Sequence, residues 1–366
     1  MGDLIPWRIV PREHASRQAV ILVPAMTIVL TILCSIVLFT ALGASPGLAL
    51  YAFFVDPFSS AYSISEILVK ASPLILIAQG LAIGFRAKVW NIGAEGQLII
   101  GAISASLIPI TWPQSTSVLM LPAMILMGVV AGMAWASIAA FFRTRYNASE
   151  IIVTLMLNQI AFQILYYLVT GPLRDPRGYN FPQSVPFPDA ALYPTLFGGA
   201  DIRANLSLAI TIAASFAAWL YVSRSFSGFR LLVGGIAPAA ARYAGFSQKR
   251  AIWISLLVGG AAAGLVGVGE IAGPIGKLQP ILSPGYGFAG IIVAFLGGLN
   301  PIGIVFAGLF MAVIYVGSDS ALLLADIPSS APIVFQGFIL VFYLAASLLI
   351  HYEIRGKAAV KSGGAA

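Results

Sequence analysis

Apolar residues run along this chain in long blocks, separated by short stretches rich in charge, Gly and Pro. Blocks near twenty residues with few charges read as helices that cross a bilayer. Ten stand out, at roughly 19–42, 65–86, 91–110, 118–142, 150–170, 206–222, 251–269, 286–299, 301–317 and 332–350. Three of them, 91–110, 286–299 and 301–317, are short or interrupted by Gly and Pro, which suits re-entrant half-helices as well as full spans. The expected fold class is all-α: a polytopic membrane helical bundle of about ten transmembrane helices, some of them broken. Residues 1–18 form an N-terminal segment, 19–350 the membrane domain and 351–366 a C-terminal tail.

Composition supports the same picture. Of 366 residues, 59% are hydrophobic and 9% charged, against about 25% charged in a soluble domain. Mean hydropathy is +0.95. Too few polar side chains remain to cover a water-facing surface of this size, and lipid as solvent removes the conflict. The 37 Gly and 22 Pro sit inside apolar runs, where Gly lets helices approach closely and Pro breaks them. The first block, Ala19 to Leu42, is too long for the core of a cleaved leader and reads as an anchor.

Net charge is +7, and its placement tests the span count. If ten spans alternate, Arg8, Arg12 and Arg17 share one side with Arg86 and Lys88, Arg143 and Arg145, the cluster Arg224, Arg230, Arg242, Lys249 and Arg250, and Arg355, Lys357 and Lys361. The other side receives Asp56, Asp319 and Asp326. The positive-inside rule then places both chain ends in the cytoplasm. The mixed, Pro- and aromatic-rich stretch 171–205 becomes an external cap, and 223–250 becomes a cytoplasmic loop. Five spans out and five back allow an inverted repeat, a common plan for transport proteins. Gly-rich breaks at similar places in each half, Asn91 to Gln97 and Ser283 to Phe288, fit that plan.

Polar residues inside the apolar blocks carry the candidate chemistry. Asn91, Glu95 and Gln97 lie at membrane depth or at its edge, where Glu95 needs protein, water or a partner. One reading is a broken helix whose polar groups line a translocation path. The other is a turn in which Asn91 caps the third span and Glu95 favours its N-terminal dipole. Gln79, Asn158, Gln159, Gln163 and Gln336 need hydrogen-bond partners in hydrocarbon. They either glue helices together or, for Asn158, Gln159 and Gln163, face a polar path. In the loop 223–250, Pro238 suits the first turn of a short helix, Ala239 to Ala241 favour it and Gly245 suits its end. Such a helix either docks onto another protein or simply connects.

Several chemistries drop out. One cysteine, Cys34, and two histidines leave no metal cluster and no nucleophile–base set. Gly276-Lys277 lacks the phosphate-loop spacing, because Ile271 and Leu278 stand where Gly and Ser or Thr are required. No cofactor is expected on this chain.

Three segments together resemble a known family. Phe85-Arg86-Ala87-Lys88-Val89-Trp90-Asn91-Ile92-Gly93-Ala94-Glu95-Gly96-Gln97 is similar to a signature of ABC-importer permeases for nucleosides and simple sugars, as is Ser149 to Asn158. Pro238 to Gly245 looks like the cytoplasmic helix that meets the ATPase in that family and in the related branched-chain amino-acid permeases. Ala237 and Ala239 depart from the polar residues frequent there. The resemblance, from about residue 60 to 350, implies a permease subunit working by alternating access in the cell (inner) membrane. It implies a second permease subunit, the same or homologous, two cytoplasmic ATPase subunits that use the ATP, and an extracytoplasmic binding protein. Pro238, Ala241, Arg242, Tyr243 and Gly245 would form the coupling helix. A branched-chain amino-acid ABC permease, and an ion-coupled secondary transporter suggested by Glu95 and the repeat plan, are the alternatives.

Overall fold

The computed structural model describes residues 7–11, 17–196, 202–325, 327–328 and 330–356. Arg12, Asp326, Lys357 and Lys361, used in the charge count, lie outside the described residues, and Gln336 lies outside the described side chains.

Thirteen α-helices are described: α1 (Arg17–Ala41), α2 (Pro46–Phe54), α3 (Ala61–Arg86), α4 (Ala94–Thr111), α5 (Met120–Tyr146), α6 (Glu150–Thr170), α7 (Leu206–Arg224), α8 (Phe226–Ile236), α9 (Pro238–Tyr243), α10 (Gln248–Glu270), α11 (Tyr286–Leu296), α12 (Pro301–Ala325) and α13 (Ala331–His351). All ten apolar blocks fall on helices. Among the described residues, seven helices, α3 to α7, α10 with its extension to Ile275, and α12, are long and apolar enough to cross a membrane.

Two of the interrupted blocks come out differently from each other, one as a half-helix and one as a full span. Block 286–299 is only the 11-residue α11, about 16 Å of helix, roughly half the hydrocarbon thickness. It ends in the turn 297–300, where Gly298 and Leu299 take positive φ. Block 301–317 continues to Ala325 and is a full-length helix. The helix α8 was not foreseen in the loop 223–250.

The chain divides into two compact units. The first joins residues 1–52 to 318–366. Its α1 packs on α13, and β1 (Trp7–Pro11) pairs antiparallel with β2 (Tyr352–Gly356), Trp7 opposite Gly356. The buried hydroxyls of Thr27, Thr31 and Ser35 donate to carbonyls one turn back in α1, which satisfies them without partners from other elements.

The second unit, residues 53–317, holds the candidate site. Every residue of α3 from 71 to 85 is buried. Helix α10 packs against α3, α4 and α5, and small residues bring the backbones together. A Cβ at Gly264 would run into the carbonyl of Gly128 on α5, the close approach that drives helix association in lipid. Beyond α10, the chain makes a π-turn at Ile271–Ile275 and returns in extended form. Part of the 171–205 segment lies along this return: Ser184 N donates to Leu278 O at 2.8 Å, Leu278 N to Ser184 Oγ at 2.9 Å and Phe187 N to Gly276 O at 2.9 Å. The extended return delivers the chain to the start of α11.

Candidate functional site

Two chain breaks meet inside the second unit. The first precedes α4, where Trp90 to Gly93 lie outside any helix. Helix α6 supplies the missing partners from one face. Glu150, Thr154 and Asn158 are spaced by four, so they stack on one side of the helix, and all three are buried. Glu150 Oε1 accepts from Trp90 N at 3.4 Å, and Thr154 Oγ1 accepts from Ile92 N at 3.2 Å. Asn158 Oδ1 accepts from Gly96 N at 2.8 Å, while its Nδ2 donates to Ile92 O at 2.9 Å. Asn91 closes the turn from within. Its Oδ1 accepts from Gly93 N at 2.9 Å and from Gln97 Nε2 at 3.0 Å, and its Nδ2 donates to Gln97 Oε1 at 2.9 Å. The N-cap of α4 is Gly93, so Asn91 shapes the turn two residues before the cap.

The second break precedes α11. Gly285 holds φ +92° as its N-cap, a conformation that favours Gly. Ser283 Oγ accepts from Gly285 N at 3.0 Å and Tyr286 N at 2.8 Å. The next amide, Gly287 N, donates to Glu95 Oε2 at 2.6 Å, with Ser283 beside that carboxylate. Glu95, 1% exposed, therefore sits at the N-terminal end of the half-helix, where backbone amides and dipole favour an acceptor. At the other end of α11, Arg86 Nε donates to Leu299 O at 2.9 Å, and Gln79 Nε2 to Pro301 O at 2.8 Å. The rings of Phe85 and Trp90 both stack on Phe295 there, and the three centroids lie 5.2 to 5.8 Å apart. The half-helix is fastened to α3 and α4 at both ends.

The six residues read as path candidates separate into two groups. Asn91, Glu95, Gln97 and Asn158 are buried and hydrogen-bonded to the two breaks. Gln159 and Gln163 lie in the middle third of α6 on its exposed side, with Ile160 and Tyr167 around an open depression of about 400 Å³.

The loop candidates form a third feature. Pro238 opens α9, Ala241 is buried, and Arg242 and Tyr243 are exposed, Tyr243 at 98%. Gly245, at φ +75°, ends the helix, and Phe246 N returns to Ala241 O at 2.9 Å. Ser225 caps α8 by accepting from Gly228 N at 2.9 Å, and α7, α8 and α9 follow one another with a single residue between each pair.

The family described as branched-chain amino acid transport system / permease component matches residues 63–344. The chain belongs to this permease family. The match takes in both breaks, the α6 face and α9. The permease is 34% identical over 341 residues to the glucose ABC transporter permease protein TsgB13 of Haloferax volcanii, covering 90% of this chain and 89% of the relative. It is 30% identical to the nucleoside ABC transporter permease protein NupB of Lactococcus lactis, with 94% and 96% covered. It is 28% identical to the guanosine ABC transporter permease protein NupP of Bacillus subtilis, with 93% and 97% covered. No solved structure matches it.

Sequence reasoning missed three groups in this permease: Glu150 and Thr154 on α6, and Ser283 with Gly287 as the seat of Glu95. The four-residue spacing of Glu150, Thr154 and Asn158 was the available signal for the first two. Nothing local ties Glu95 to a residue 192 positions away.

Proposed function

We propose that this permease forms the solute path of an ATP-driven importer for a nucleoside or a simple sugar. One observation carries the reading. Gln159 and Gln163 are exposed in the middle of an apolar span, where an amide facing lipid has no partner and costs several kcal/mol. That face of α6 therefore meets water, solute or a second permease subunit. An amide offers both donors and an acceptor, which suits the hydroxyls that glucose and the sugar of a nucleoside have in common. The relatives named for glucose, nucleosides and guanosine point to the same chemistry. The family description favours a second reading, a branched-chain amino acid.

ATP hydrolysis belongs to separate cytoplasmic ATPase subunits, for which α9 is the coupling helix: Arg242 and Tyr243 reach outward while Ala241 anchors it. A second permease subunit, the same or homologous, completes the path, and an external binding protein delivers the solute to the 171–205 side. The charge pattern supports cytoplasmic ends. Pairing of residues 7–11 with 352–356 supports an even number of crossings.

Uptake of labelled guanosine, uridine, glucose, ribose and leucine is compared in cells with and without the gene, and in a Gln159→Leu/Gln163→Leu variant. The reading expects gene-dependent uptake of a sugar-bearing solute, lost in the variant at equal membrane abundance. Gene-dependent uptake of leucine alone moves the substrate to the second reading. Full uptake by the variant removes α6 from the path.

A further inference from the structure

A cavity of about 410 Å³ lies between the 87–89 turn, the end of α5, helices α8 and α9, and the start of α10. Lys88, Arg230, Arg242 and Arg250 line it, and none of the four has an ion-pair partner among the described residues. The carboxylate on its wall, Glu150, is already engaged by Arg143 at 3.1 Å. The cavity therefore presents uncompensated positive charge.

Its walls are not only basic. Leu231 and Ile252 contribute buried apolar surface. The Arg230 guanidinium lies over the Phe226 ring at 4.3 Å and the Phe246 ring at 5.4 Å, which holds a charge against aromatic surface. Helix α8 buries Gly228, Leu231 and Gly235 on one side and exposes Phe226, Phe229 and Ile236 on the other. A short helix with an exposed apolar face suits the boundary between headgroups and hydrocarbon. The cavity thus joins basic groups to a surface suited to lipid.

We propose that this cavity binds the phosphate-bearing headgroup of an anionic phospholipid from the cytoplasmic leaflet. Arg230 and Arg250 hold the phosphate, and Leu231 and Ile252 meet the glycerol and the upper acyl chain. A free anion uses the charge but not the apolar wall. An acidic protein segment would come from the aqueous side, whereas the exposed face of α8 sets this cavity at the edge of the bilayer. The inference rests on the cytoplasmic placement of the loop 223–250 and not on the transported solute.

The test uses the full chain, purified in detergent and stripped of lipid, and reads bound lipid by native mass spectrometry, which needs no transport. Phosphatidylglycerol, phosphatidylcholine and inorganic phosphate are titrated separately. One phosphatidylglycerol per chain is expected to stay bound in preference to phosphatidylcholine. Arg230→Gln/Arg250→Gln should weaken that binding about thirtyfold, from about fivefold per charge near a membrane surface. Arg230→Lys/Arg250→Lys should retain most of it, and Arg145→Gln, outside the cavity, all of it. Melting temperatures of the lipid-free variants establish that they fold. Equal retention of the two lipids, or undiminished phosphatidylglycerol in the double Gln variant, overturns the proposal. Displacement by inorganic phosphate alone reassigns the site to a free anion and overturns it too. One-for-one release on adding the ATPase subunit gives the cavity to an acidic protein segment instead.

Discussion

Glu95 accepts the main-chain amide of Gly287 at 2.6 Å, so the starts of two helices separated by almost two hundred residues are tied by one carboxylate. Each start follows a stretch of non-helical chain, and each would otherwise leave amides unpaired in an apolar interior. The Gly-rich breaks that the two halves have in common are therefore more than matching signs of a repeat. They are the two sides of one contact, seated on α6 through Thr154 and Asn158.

Removing the acceptor should loosen the half-helix. Glu95→Ala leaves the Gly287 amide buried and unpaired, a loss of about 1–3 kcal/mol. Glu95→Gln keeps an oxygen in place and should retain most of the stability. Gly287→Ala should be at least as damaging as Glu95→Ala, because its Cβ would lie 2.6 Å from the Glu95 Cα. Melting curves in one detergent rank the three. A Gln variant that melts as low as the Ala variant would mean that charge, and not the acceptor oxygen, makes the contact.

Neighbouring polar residues on α6 should fail in different ways. Asn158→Ala strands Ile92 O and Gly96 N in the interior, again about 1–3 kcal/mol for each group, and should lower folded yield and melting temperature. Gln163→Ala removes an exposed side chain and should shift stability by no more than about 0.5 kcal/mol, while reducing uptake. Thermal melts and uptake on the same two proteins check this. If Asn158→Ala folds normally and only transport falls, Asn158 belongs with the path.

Asn158 and its neighbour Gln159 also mark how far the sequence could be read. The helices were legible because blocks of apolar residues are long and their ends carry charge, Gly or Pro. Rotation about each helix axis was not. Asn158 and Gln159 are adjacent, about 100° apart around the helix, and one is fully buried while the other is exposed. On a soluble amphipathic helix the polar stripe would have told them apart, but α6 is apolar on nearly every side. The half-length of α11 was one of two readings left open for 286–299, and the sequence did not decide between them for a related reason. Hydropathy reports that a segment is apolar, not where its helix stops, and the turn that ends α11 continues the same apolar block through Gly297, Gly298 and Leu299. By contrast α9 was legible from Pro238, the Ala run and Gly245, since local propensity decides a short exposed helix.

Two glycines in helices should respond oppositely to the same change. At Gly264 a Cβ meets the α5 backbone at Gly128 and Gly132, so Gly264→Ala should cost about 1–3 kcal/mol through overpacking. At Gly234, within α8, a Cβ meets nothing within 4 Å. There Gly234→Ala should gain about 0.5–1 kcal/mol from the reduced freedom of the unfolded chain. Melting temperatures of the two variants give the sign directly, and equal shifts would show that close approach of α5 and α10 contributes little.

The coupling role proposed for α9 separates from stability because its two outward side chains are exposed. Tyr243 is almost wholly exposed and Arg242 is exposed, so Arg242→Ala/Tyr243→Ala should leave the melting temperature of the isolated chain within the range of surface changes, about 0.5 kcal/mol. Ala241 is buried under the same helix, and Ala241→Arg should unseat it, lowering stability and coupling together. In the reconstituted complex, the double Ala variant should bind the ATPase subunits weakly and lose the rise in ATP hydrolysis that solute-loaded binding protein produces, while the ATPase alone hydrolyses ATP as before. Buried aromatic and Arg side chains often dominate an interface, with losses of about 2 kcal/mol or more on truncation, so an effect of at least thirtyfold on subunit affinity is expected. Unchanged affinity and unchanged stimulation would leave α9 as a connector between α8 and α10, and the ATPase contact would have to be sought elsewhere on the basic face.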